Sequence, residues 1–293
     1  MSTLICFGFS YTANAYIAAY GAQFDRIAGT VRSTEKADRL RRDGLGGCAV
    51  EPFLFHDPQA EVALASALAD AALLIVSIPP DADGDPALRH YSAALQKAPR
   101  LRTVVYLSTI GVYGDHAGGW VDETTPANPI SPRSQERLQA EQEWQAFGQR
   151  TGLPVAIFRL PGIYGPGRNA LATLARGEAR RIAKPGQVFN RIHVDDIAQA
   201  IDAAYARRAG GLFNICDDEP APAQDLITYA AGLLGVEPPP EIPFDDIKDS
   251  MSPMARSFYA ESKRARNTRM KQALGIRLAY PTYREGLRAL HRR

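Results

Sequence analysis

The sequence has little cysteine and little net charge, and it lacks a long apolar run. Three cysteines, Cys6, Cys48 and Cys216, stand far apart among 293 residues, which argues against a disulfide framework and for reduced thiols. A net charge of +2 argues against a dedicated nucleic-acid or membrane binder. No apolar run reaches bilayer-spanning length, and no basic region precedes a cleavable apolar segment at the N-terminus. We therefore expect a soluble, cytoplasmic protein with no nucleic-acid or membrane partner.

The composition that remains is that of an ordinary globular protein. Hydrophobic residues make up 45% of the chain and charged residues 23%. The length suits one large α/β domain, or such a domain with an added lobe. Predicted strands alternate with helices about every 20–25 residues, which indicates repeated βαβ units. The predicted fold class is α/β, with a doubly wound parallel sheet of the Rossmann type.

The first strand, turn and helix of the chain form a pattern that binds anions. Thr3–Phe7 is predicted to be a buried strand, and a helix follows a short turn. The first N–H groups of a helix have no intrahelical partner and carry the positive end of its dipole, so a phosphate can bind there. Compared with the G-x-G-x-x-G pattern of dinucleotide folds, serine replaces the second glycine and alanine the third. The residues predicted to contact a dinucleotide are Gly8, Phe9, Ser10, Tyr11, Thr12 and Ala13. The alternative is an ordinary strand–helix corner.

The residue after the second predicted strand indicates which dinucleotide is bound. An acidic residue here accepts a hydrogen bond from the adenosine ribose, whereas an arginine suits the 2′-phosphate of NADP. Arg32 occupies this place and Ser33 follows it, so NADP is favoured and NAD stays an alternative. Arg32 could instead merely begin the solvated helix over residues 34–43. Ser33 or Thr34 is predicted to cap that helix, and Gly44 to end it.

Two further strand ends are predicted to face the same crevice. Asp57 follows a predicted third strand over residues 48–55, and it either meets the adenine amino group or caps the helix over residues 59–69. The segment 71–77 is the clearest buried strand, apolar on both faces as parallel strands are. Its exit is predicted to place backbone beside the dinucleotide. The residues concerned are Ser77, Ile78 and Pro79.

Motifs further along the chain resemble those of a known enzyme family. Residues 106–115 read YLSTIGVYGD, residues 158–168 read FRLPGIYGPGR, and residues 191–198 read RIHVDDIA. With these motifs the chain resembles the extended short-chain dehydrogenase/reductase family, the NAD-dependent epimerase/dehydratase group. The resemblance implies an NAD(P)-binding Rossmann domain and a smaller C-terminal substrate lobe. We assign residues 1–160 and 187–217 to the first, and residues 161–186 and 218–293 to the second.

The catalytic pair of that family has no match at the expected place. In the family, a tyrosine exchanges a proton with the substrate, and a lysine one helical turn later binds the nicotinamide ribose. The matching positions hold Arg133 and Arg137, and residues 130–141 contain no tyrosine. Arg133 cannot act as a general acid or base at neutral pH, because a guanidinium stays protonated. Arg137 keeps a charge for the ribose, or else it pairs with Glu141 on a solvated face.

The resemblance also assigns residues around the cleft. Thr109 fits the serine or threonine that holds the reacting oxygen, and Ser108 beside it is assigned to the cofactor. Tyr113 and Tyr164 are candidate acids on cleft loops, although Tyr113 could instead pack its ring under its loop with the hydroxyl bonded to the backbone. Both arginines of the helix are alternatively suited to a substrate carboxylate or phosphate. The residues assigned to the nicotinamide are Pro161, Gly162 and Ile163.

No metal site is expected from the sequence. Asp195 and Asp196 resemble a pair of metal or catalytic carboxylates, but acidic residues at a helix start are explained by capping and the helix dipole. His193 has no ligand partner at metal spacing, so we expect a structural role for it.

Together these patterns predict an atypical oxidoreductase or epimerase-like enzyme that binds NADP, with NAD as the alternative. Its substrate would be a small polar or anionic metabolite, and a homodimer stays open. The second hypothesis is a catalytically silent NADP(H)-binding sensor or scaffold that acts through a protein partner, since the tyrosine and lysine are missing.

Overall fold

The computed structural model describes residues 2–55 and 57–292, with the side chains of residues 58–61 left out. The strands are β1 (Thr3–Phe7), β2 (Arg26–Val31), β3 (Glu51–Leu54), β4 (Ala71–Val76), β5 (Thr103–Thr109), β6 (Trp120–Val121), β7 (Val155–Leu160), β8 (Gly162–Tyr164), β9 (Arg181–Ala183), β10 (Arg191–His193), β11 (Gly211–Asn214), β12 (Glu241–Pro243) and β13 (Arg264–Ala265). The helices are α1 (Tyr11–Tyr20), α2 (Thr34–Asp43), α3 (Pro58–Ala69), α4 (Pro86–Gln96), α5 (Pro132–Thr151), α6 (Ala170–Ala175), α7 (Val194–Arg207), α8 (Ala223–Leu234), α9 (Phe244–Ile247), α10 (Pro253–Ser257), α11 (Thr268–Leu274) and α12 (Tyr283–His291).

A seven-stranded sheet forms the centre of the molecule, in the order β11–β7–β5–β4–β1–β2–β3. Every neighbouring pair in it is parallel. The strand order reverses between β1 and β4, and in open α/β sheets ligands bind at such a reversal, outside the carboxyl ends of the strands. The predicted doubly wound α/β fold is confirmed. The turn after β1 lies at this reversal.

Helices cover both faces of the sheet, which explains why its central strands are apolar throughout. All residues of β1 are buried, and alternate side chains point to opposite faces, Leu4 and Cys6 to one and Ile5 and Phe7 to the other. The first face packs against α1 and α7, and the second against α3, α4 and α5. Within the described ranges, no helix combines the length and the apolar character needed to cross a membrane.

A smaller core lies outside the sheet, between α6, α8 and α12. It joins Tyr164 and Leu171 to Tyr283 and Leu287, and we call it the C-terminal core. The strand pairs β8–β10 and β9–β12 lie outside the central sheet as well. In contrast, α11 buries Met270 in the core on the α1 and α7 side of the sheet, although residues 218–293 were assigned to the lobe. The assigned division of the chain therefore stays a prediction.

Element ends agree with the local sequence signals except around β3. The Ser33 hydroxyl accepts the N–H of Lys36, so Ser33 caps α2 as predicted, and Gly44 with a φ of +66° follows its last residue. The strand predicted to begin at Cys48 begins at Glu51 instead. Leu45 and Cys48 exchange backbone hydrogen bonds in a turn, which takes this segment out of the sheet.

The three cysteines are free thiols in different surroundings. Cys6 on β1 and Cys216 after β11 are fully buried, and burial raises the pKa of both thiols. Cys48 is half-buried in the turn before β3. The thiolate is the reactive form, so the two buried cysteines are expected to be inert.

Candidate functional site

The turn between β1 and α1 presents two free backbone donors. Gly8 has a φ of +93°, and a Cβ there would lie 2.9 Å from the Ser77 Oγ, so this place requires glycine. The Ser10 Oγ accepts the N–H of Ala13 at 3.2 Å and thereby caps α1. No acceptor among the described residues takes the N–H of Tyr11 or Thr12. These two donors lie at the positive end of the α1 dipole, where a phosphate binds.

The side chains of the turn leave this corner open. The Phe9 ring is 2% exposed and belongs to the core between the sheet and α1. Gly29 on β2 makes room for it, since a Cβ on Gly29 would lie 2.9 Å from the Phe9 Cζ. The Ser10 hydroxyl is turned toward Ala13. The residues present therefore fit the diphosphate of a dinucleotide, despite the two departures from the glycine pattern.

Cationic side chains surround the carboxyl end of β2. Arg32 is exposed directly after the strand, and the half-buried Lys36 follows one helical turn later on α2. The Lys36 Nζ donates to the Phe9 carbonyl oxygen at 2.7 Å. Burial, and then the like charges of Arg39 and Arg32, lower the pKa of Lys36. Lys36 was not predicted from the sequence: it lies on the first turn of α2, whereas Arg32 precedes the Ser33 cap, so helix periodicity does not link the two residues.

Ser77 ties the exit of β4 to the turn after β1. Its Oγ lies 3.1 Å from the Phe7 carbonyl oxygen and 2.9 Å from that of Gly8, and the Ile78 N–H donates to Phe7 at 3.2 Å. Pro79 follows, and the cofactor contacts of all three residues stay predictions. Asp57 lies directly before α3, half-buried, and its assignment to the adenine stays a prediction too.

Thr109 stands at the carboxyl end of β5 with a hydroxyl hydrogen free to donate. Its Oγ1 accepts the N–H of Gly111 at 3.1 Å, and the side chain is partly exposed. A hydroxyl that accepts in this way can still donate to a ligand oxygen. Ser108, assigned to the cofactor from sequence, is buried instead, and its Oγ donates to the Glu141 Oε1 at 2.5 Å. This contact gives no support to a cofactor role for Ser108.

A buried ion pair lies beneath the end of β5. Glu141 on α5 is 1% exposed and binds Arg159 on β7, with an Nη2–Oε2 distance of 2.6 Å. The Arg159 guanidinium lies 4.6 Å from the centre of the Tyr113 ring. The alternative in which Glu141 pairs with Arg137 on a solvated face is therefore wrong, because the carboxylate is turned inward to Arg159.

The two arginines that stand where the family has tyrosine and lysine differ in their surroundings. The Arg137 Nη1 donates to the Tyr106 Oη at 3.0 Å and to the Leu107 carbonyl oxygen at 3.1 Å, so Arg137 is held against β5. Arg133, on the first turn of α5, is exposed, and no carboxylate in the described part of the chain pairs with it. Arg133 is therefore available to an anionic ligand.

The two candidate tyrosine acids are engaged by other parts of the protein. Tyr113 is fully buried, and its hydroxyl donates to the Asn214 Oδ1 at 2.8 Å rather than to the backbone. The Tyr164 hydroxyl donates to the Thr282 carbonyl oxygen at 3.4 Å, within the C-terminal core. Burial raises the pKa of both phenols. These contacts give no support to the acid role assigned to either residue.

The segment assigned to the nicotinamide follows directly from β7. Pro161 separates β7 from β8, and Gly162 and Ile163 pair with Arg191 and Ile192 of β10 in parallel. The segment thus leaves the carboxyl edge of the sheet beside the end of β5, since β5 and β7 are neighbours. Its contact with a nicotinamide stays a prediction.

Asp195 and Asp196 lie in the first turn of α7, where the helix dipole favours acidic residues, but neither side chain caps the helix. The His193 Nδ1 accepts the N–H of Asp195 at 3.2 Å, so histidine is the cap of α7. The Asp196 carboxylate accepts the N–H groups of Ala279 and Tyr280 at 2.7 and 3.1 Å. Capping is therefore the wrong explanation for Asp196, which ties the C-terminal segment to α7. Residues 2–55 and 57–292 contain no group of three or more His, Cys, Asp or Glu residues suited to a metal.

Comparisons with known proteins show which family the chain is similar to. The sequence model of the NAD dependent epimerase/dehydratase family matches residues 87–216. The protein YeeZ of Escherichia coli K12 is 32% identical over 226 residues, which cover 73% of this chain and 77% of YeeZ. A Streptomyces protein named 3-diazoavenalumate denitrifying reductase is 28% identical over 180 residues, 57% of this chain and 58% of its own length.

A solved structure resembles the whole chain. It belongs to a functionally unknown conserved protein from Silicibacter pomeroyi, with a TM-score of 0.87 and 46% identity, and it covers 100% of this chain and 99% of its own. The family match includes β5 with Thr109, the α5 arginines and the start of α7. The chain belongs to the NAD-dependent epimerase/dehydratase family.

Proposed function

We propose that the protein is an NADP(H)-dependent oxidoreductase with an atypical site, which acts on a small polar or anionic metabolite in the cytoplasm. The observation that carries the proposal is the open turn after β1 with a cluster of cations at its adenosine side. When bound, the dinucleotide supplies or accepts a hydride at its nicotinamide. The three free thiols suit a reducing compartment.

The preference for NADP(H) rests on the cations after β2. Arg32 stands where the adenosine ribose is read in dinucleotide folds, and Lys36 and Arg39 add two charges on the same side of α2. A 2′-phosphate gains charge-assisted hydrogen bonds from such groups, whereas a 2′-hydroxyl gains little. No acidic side chain occurs between Arg32 and Thr34 to accept from a 2′-hydroxyl.

Two side chains at the end of β5 and the start of α5 support a substrate site. Thr109 can donate its hydroxyl hydrogen to a substrate oxygen. Arg133 can bind a substrate carboxylate or phosphate through its planar guanidinium. A reductase among the relatives supports reduction as the type of reaction. Because neither Tyr113 nor Tyr164 has a free hydroxyl, we propose that water supplies the proton.

A binding experiment tests the cofactor assignment. NADPH and NADH are titrated into the wild type and into Arg32→Asp, with cofactor fluorescence as the readout. We expect the wild type to prefer NADPH and the variant to lose about tenfold or more of that preference, because a phosphate then meets a carboxylate. Arg42→Asp, which makes the same charge change on an exposed part of α2, should keep the preference. An unchanged ratio in Arg32→Asp would contradict the assignment.

A turnover screen tests the enzyme. Carbonyl compounds with a carboxylate or phosphate, sugar nucleotides and acyl thioesters are incubated with NADPH. Thr109→Ala should abolish most of any turnover, whereas Thr228→Ala, an exposed threonine on α8, should leave it unchanged. Arg133→Ala should raise KM for anionic substrates more than for neutral ones.

The second function, a silent cofactor-binding sensor, is favoured by one observation. Arg133 cannot transfer a proton, and both tyrosine hydroxyls are engaged within the protein. Tight NADPH binding without turnover of any compound in the screen, together with a protein partner that binds only in the presence of NADPH, would support the sensor and exclude the oxidoreductase.

A further inference from the structure

A tight turn after β8 reaches the start of α1. Gly165 and Arg168 exchange backbone hydrogen bonds of 2.9 and 3.1 Å, so Pro166 and Gly167 form the tip of the turn. The Tyr11 hydroxyl donates to the Pro166 carbonyl oxygen at 3.0 Å. A Cβ on Gly165 would lie 2.6 Å from the Tyr11 Oη, so the two segments are in direct contact. The turn, residues 165–168, therefore packs against the first residue of the phosphate-binding helix.

The Arg168 side chain crosses the ring of Tyr11. Its Cζ lies 5.8 Å from the ring centre, within the range of a cation–π contact. The side chain is exposed, and no carboxylate among the described side chains forms an ion pair with it. Partial burial raises the pKa of the Tyr11 phenol, the Arg168 charge lowers it, and the Asp195 charge raises it. An unpaired guanidinium thus stands beside the residue whose backbone N–H is one of the two free donors.

The α1 helix by itself offers only a partial positive charge to a diphosphate. The helix dipole is equivalent to about half a charge, and the diphosphate of a dinucleotide is an anion. Residues 8–16 contain no lysine or arginine. Lys36 donates to the carbonyl of Phe9 on the adenosine side. Arg168 stands instead at the side chain of Tyr11, the residue that supplies one of the two free N–H groups.

We propose that Arg168 binds the diphosphate of the dinucleotide together with the two free N–H groups of α1, a role that rests on the proposed cofactor. The two N–H groups of α1 and the guanidinium then contact the same anion. Because Arg168 belongs to the segment that leads from β8 into α6 and the C-terminal core, the bound cofactor also holds this segment against α1.

Two adenosine fragments separate this role from the role of Arg32. ADP carries the diphosphate without a 2′-phosphate, and adenosine 2′-monophosphate carries the 2′-phosphate without a diphosphate. We expect Arg168→Met to weaken ADP about tenfold or more and to leave adenosine 2′-monophosphate within about twofold. Arg32→Met should have the opposite effects. Both affinities are measured by calorimetry or by displacement of NADPH.

A matched variant controls for net charge. Arg176→Met removes an arginine from the end of α6, where it pairs with Glu178 on the surface, and it should change neither affinity. Equal ADP binding by Arg168→Met and wild type would overturn the role of Arg168 while leaving the cofactor assignment intact. If wild-type protein binds neither dinucleotide, both are overturned.

Hydrogen exchange gives a readout that does not depend on the chemical reaction. In the wild type, saturating ADP should slow amide exchange in residues 162–168 at least about threefold, because the diphosphate fixes the turn to α1. In Arg168→Met at a saturating ADP concentration this slowing should be absent, although the N–H groups of Tyr11 and Thr12 are still protected. Equal slowing in both proteins would contradict the coupling.

Discussion

Glu141 and Arg159 form a buried ion pair beneath the end of β5, and the stability of the protein depends on it. The Glu141 carboxylate accepts hydrogen bonds from the Arg159 guanidinium on both oxygens and one from the Ser108 hydroxyl as well. Both charges are almost completely removed from water. Removing either partner would strongly destabilise the protein, because the remaining buried charge would have neither water nor a counter-ion around it.

We therefore expect Glu141→Ala to lower the free energy of unfolding by about 3–5 kcal/mol. The control is Asp38→Ala on α2, which breaks an exposed pair with Arg41 and should cost less than about 1 kcal/mol. Urea denaturation followed by circular dichroism measures both. Similar losses in the two variants would mean that the inner pair is not as desolvated as the structure indicates.

At the residue scale, the Asp196 carboxyl makes the free energy of unfolding depend on pH. Burial raises the pKa of its carboxyl from 3.8 to about 6, although two backbone N–H groups act in the opposite direction. Between these values the folded chain binds more protons than the unfolded chain. The contribution of this group to the free energy of unfolding is therefore complete below about pH 4 and is lost as the pH rises through about 6.

Asp196→Asn removes the titrating group and should remove this dependence. From pH 4 to pH 7, the free energy of unfolding of the wild type should fall relative to that of the variant by about 2 kcal/mol. Urea midpoints at four pH values measure the difference, in which the other titrating groups cancel. A constant difference, or one of the opposite sign, would show that the carboxyl titrates normally.

At the scale of the element, two glycines differ in how closely their surroundings are packed. Gly29 lies in β2, and a Cβ there would stand 2.5 Å from the Cys6 carbonyl oxygen and 2.9 Å from the Phe9 Cζ. Gly232 lies within α8 with no atom within 4 Å of a Cβ. The same substitution should thus have opposite effects in the two elements.

We expect Gly29→Ala to lower the free energy of unfolding by about 1–3 kcal/mol, because the methyl group displaces the backbone of β1 or the Phe9 ring. Gly232→Ala should raise it by about 0.5–1 kcal/mol, since alanine is the better helix former. Thermal denaturation of both variants checks the signs. A stabilised Gly29→Ala would show that β2 has more room than the structure gives it.

The elements themselves were largely predictable, and their partners were not. The apolar runs correctly predicted β1 and β4, and Ser33 and Gly44 correctly predicted the ends of α2. These signals depend only on residues close together in the chain. The same reasoning failed for Glu141, whose partner Arg159 is 18 residues away in another element. The spacing of residues along a helix shows which of them share a face, but the partner of a charged side chain on that face depends on how the helix packs in the folded protein.

At the scale of the whole molecule, the strand order explains why part of the site could be predicted. The turn after β1, the end of β2 and the exit of β4 come together because parallel strands bring their carboxyl ends to one edge. The contact of Arg168 with Tyr11 and the bonds of Asp196 to residues 279 and 280 depend on the path of distant segments. No local pattern carries that information.

Because two of the three cysteines are buried, the reactivity of their thiols measures whether the protein is folded. A chromogenic disulfide such as DTNB should titrate about one thiol per native chain, Cys48, and all three after denaturation. The two slow thiols stand on β1 and just beyond β11, at the centre and at one margin of the sheet. Their reaction with DTNB therefore reports the rate at which the sheet opens, and the proposed cofactor NADPH should slow it, since a ligand that binds only the native state stabilises that state.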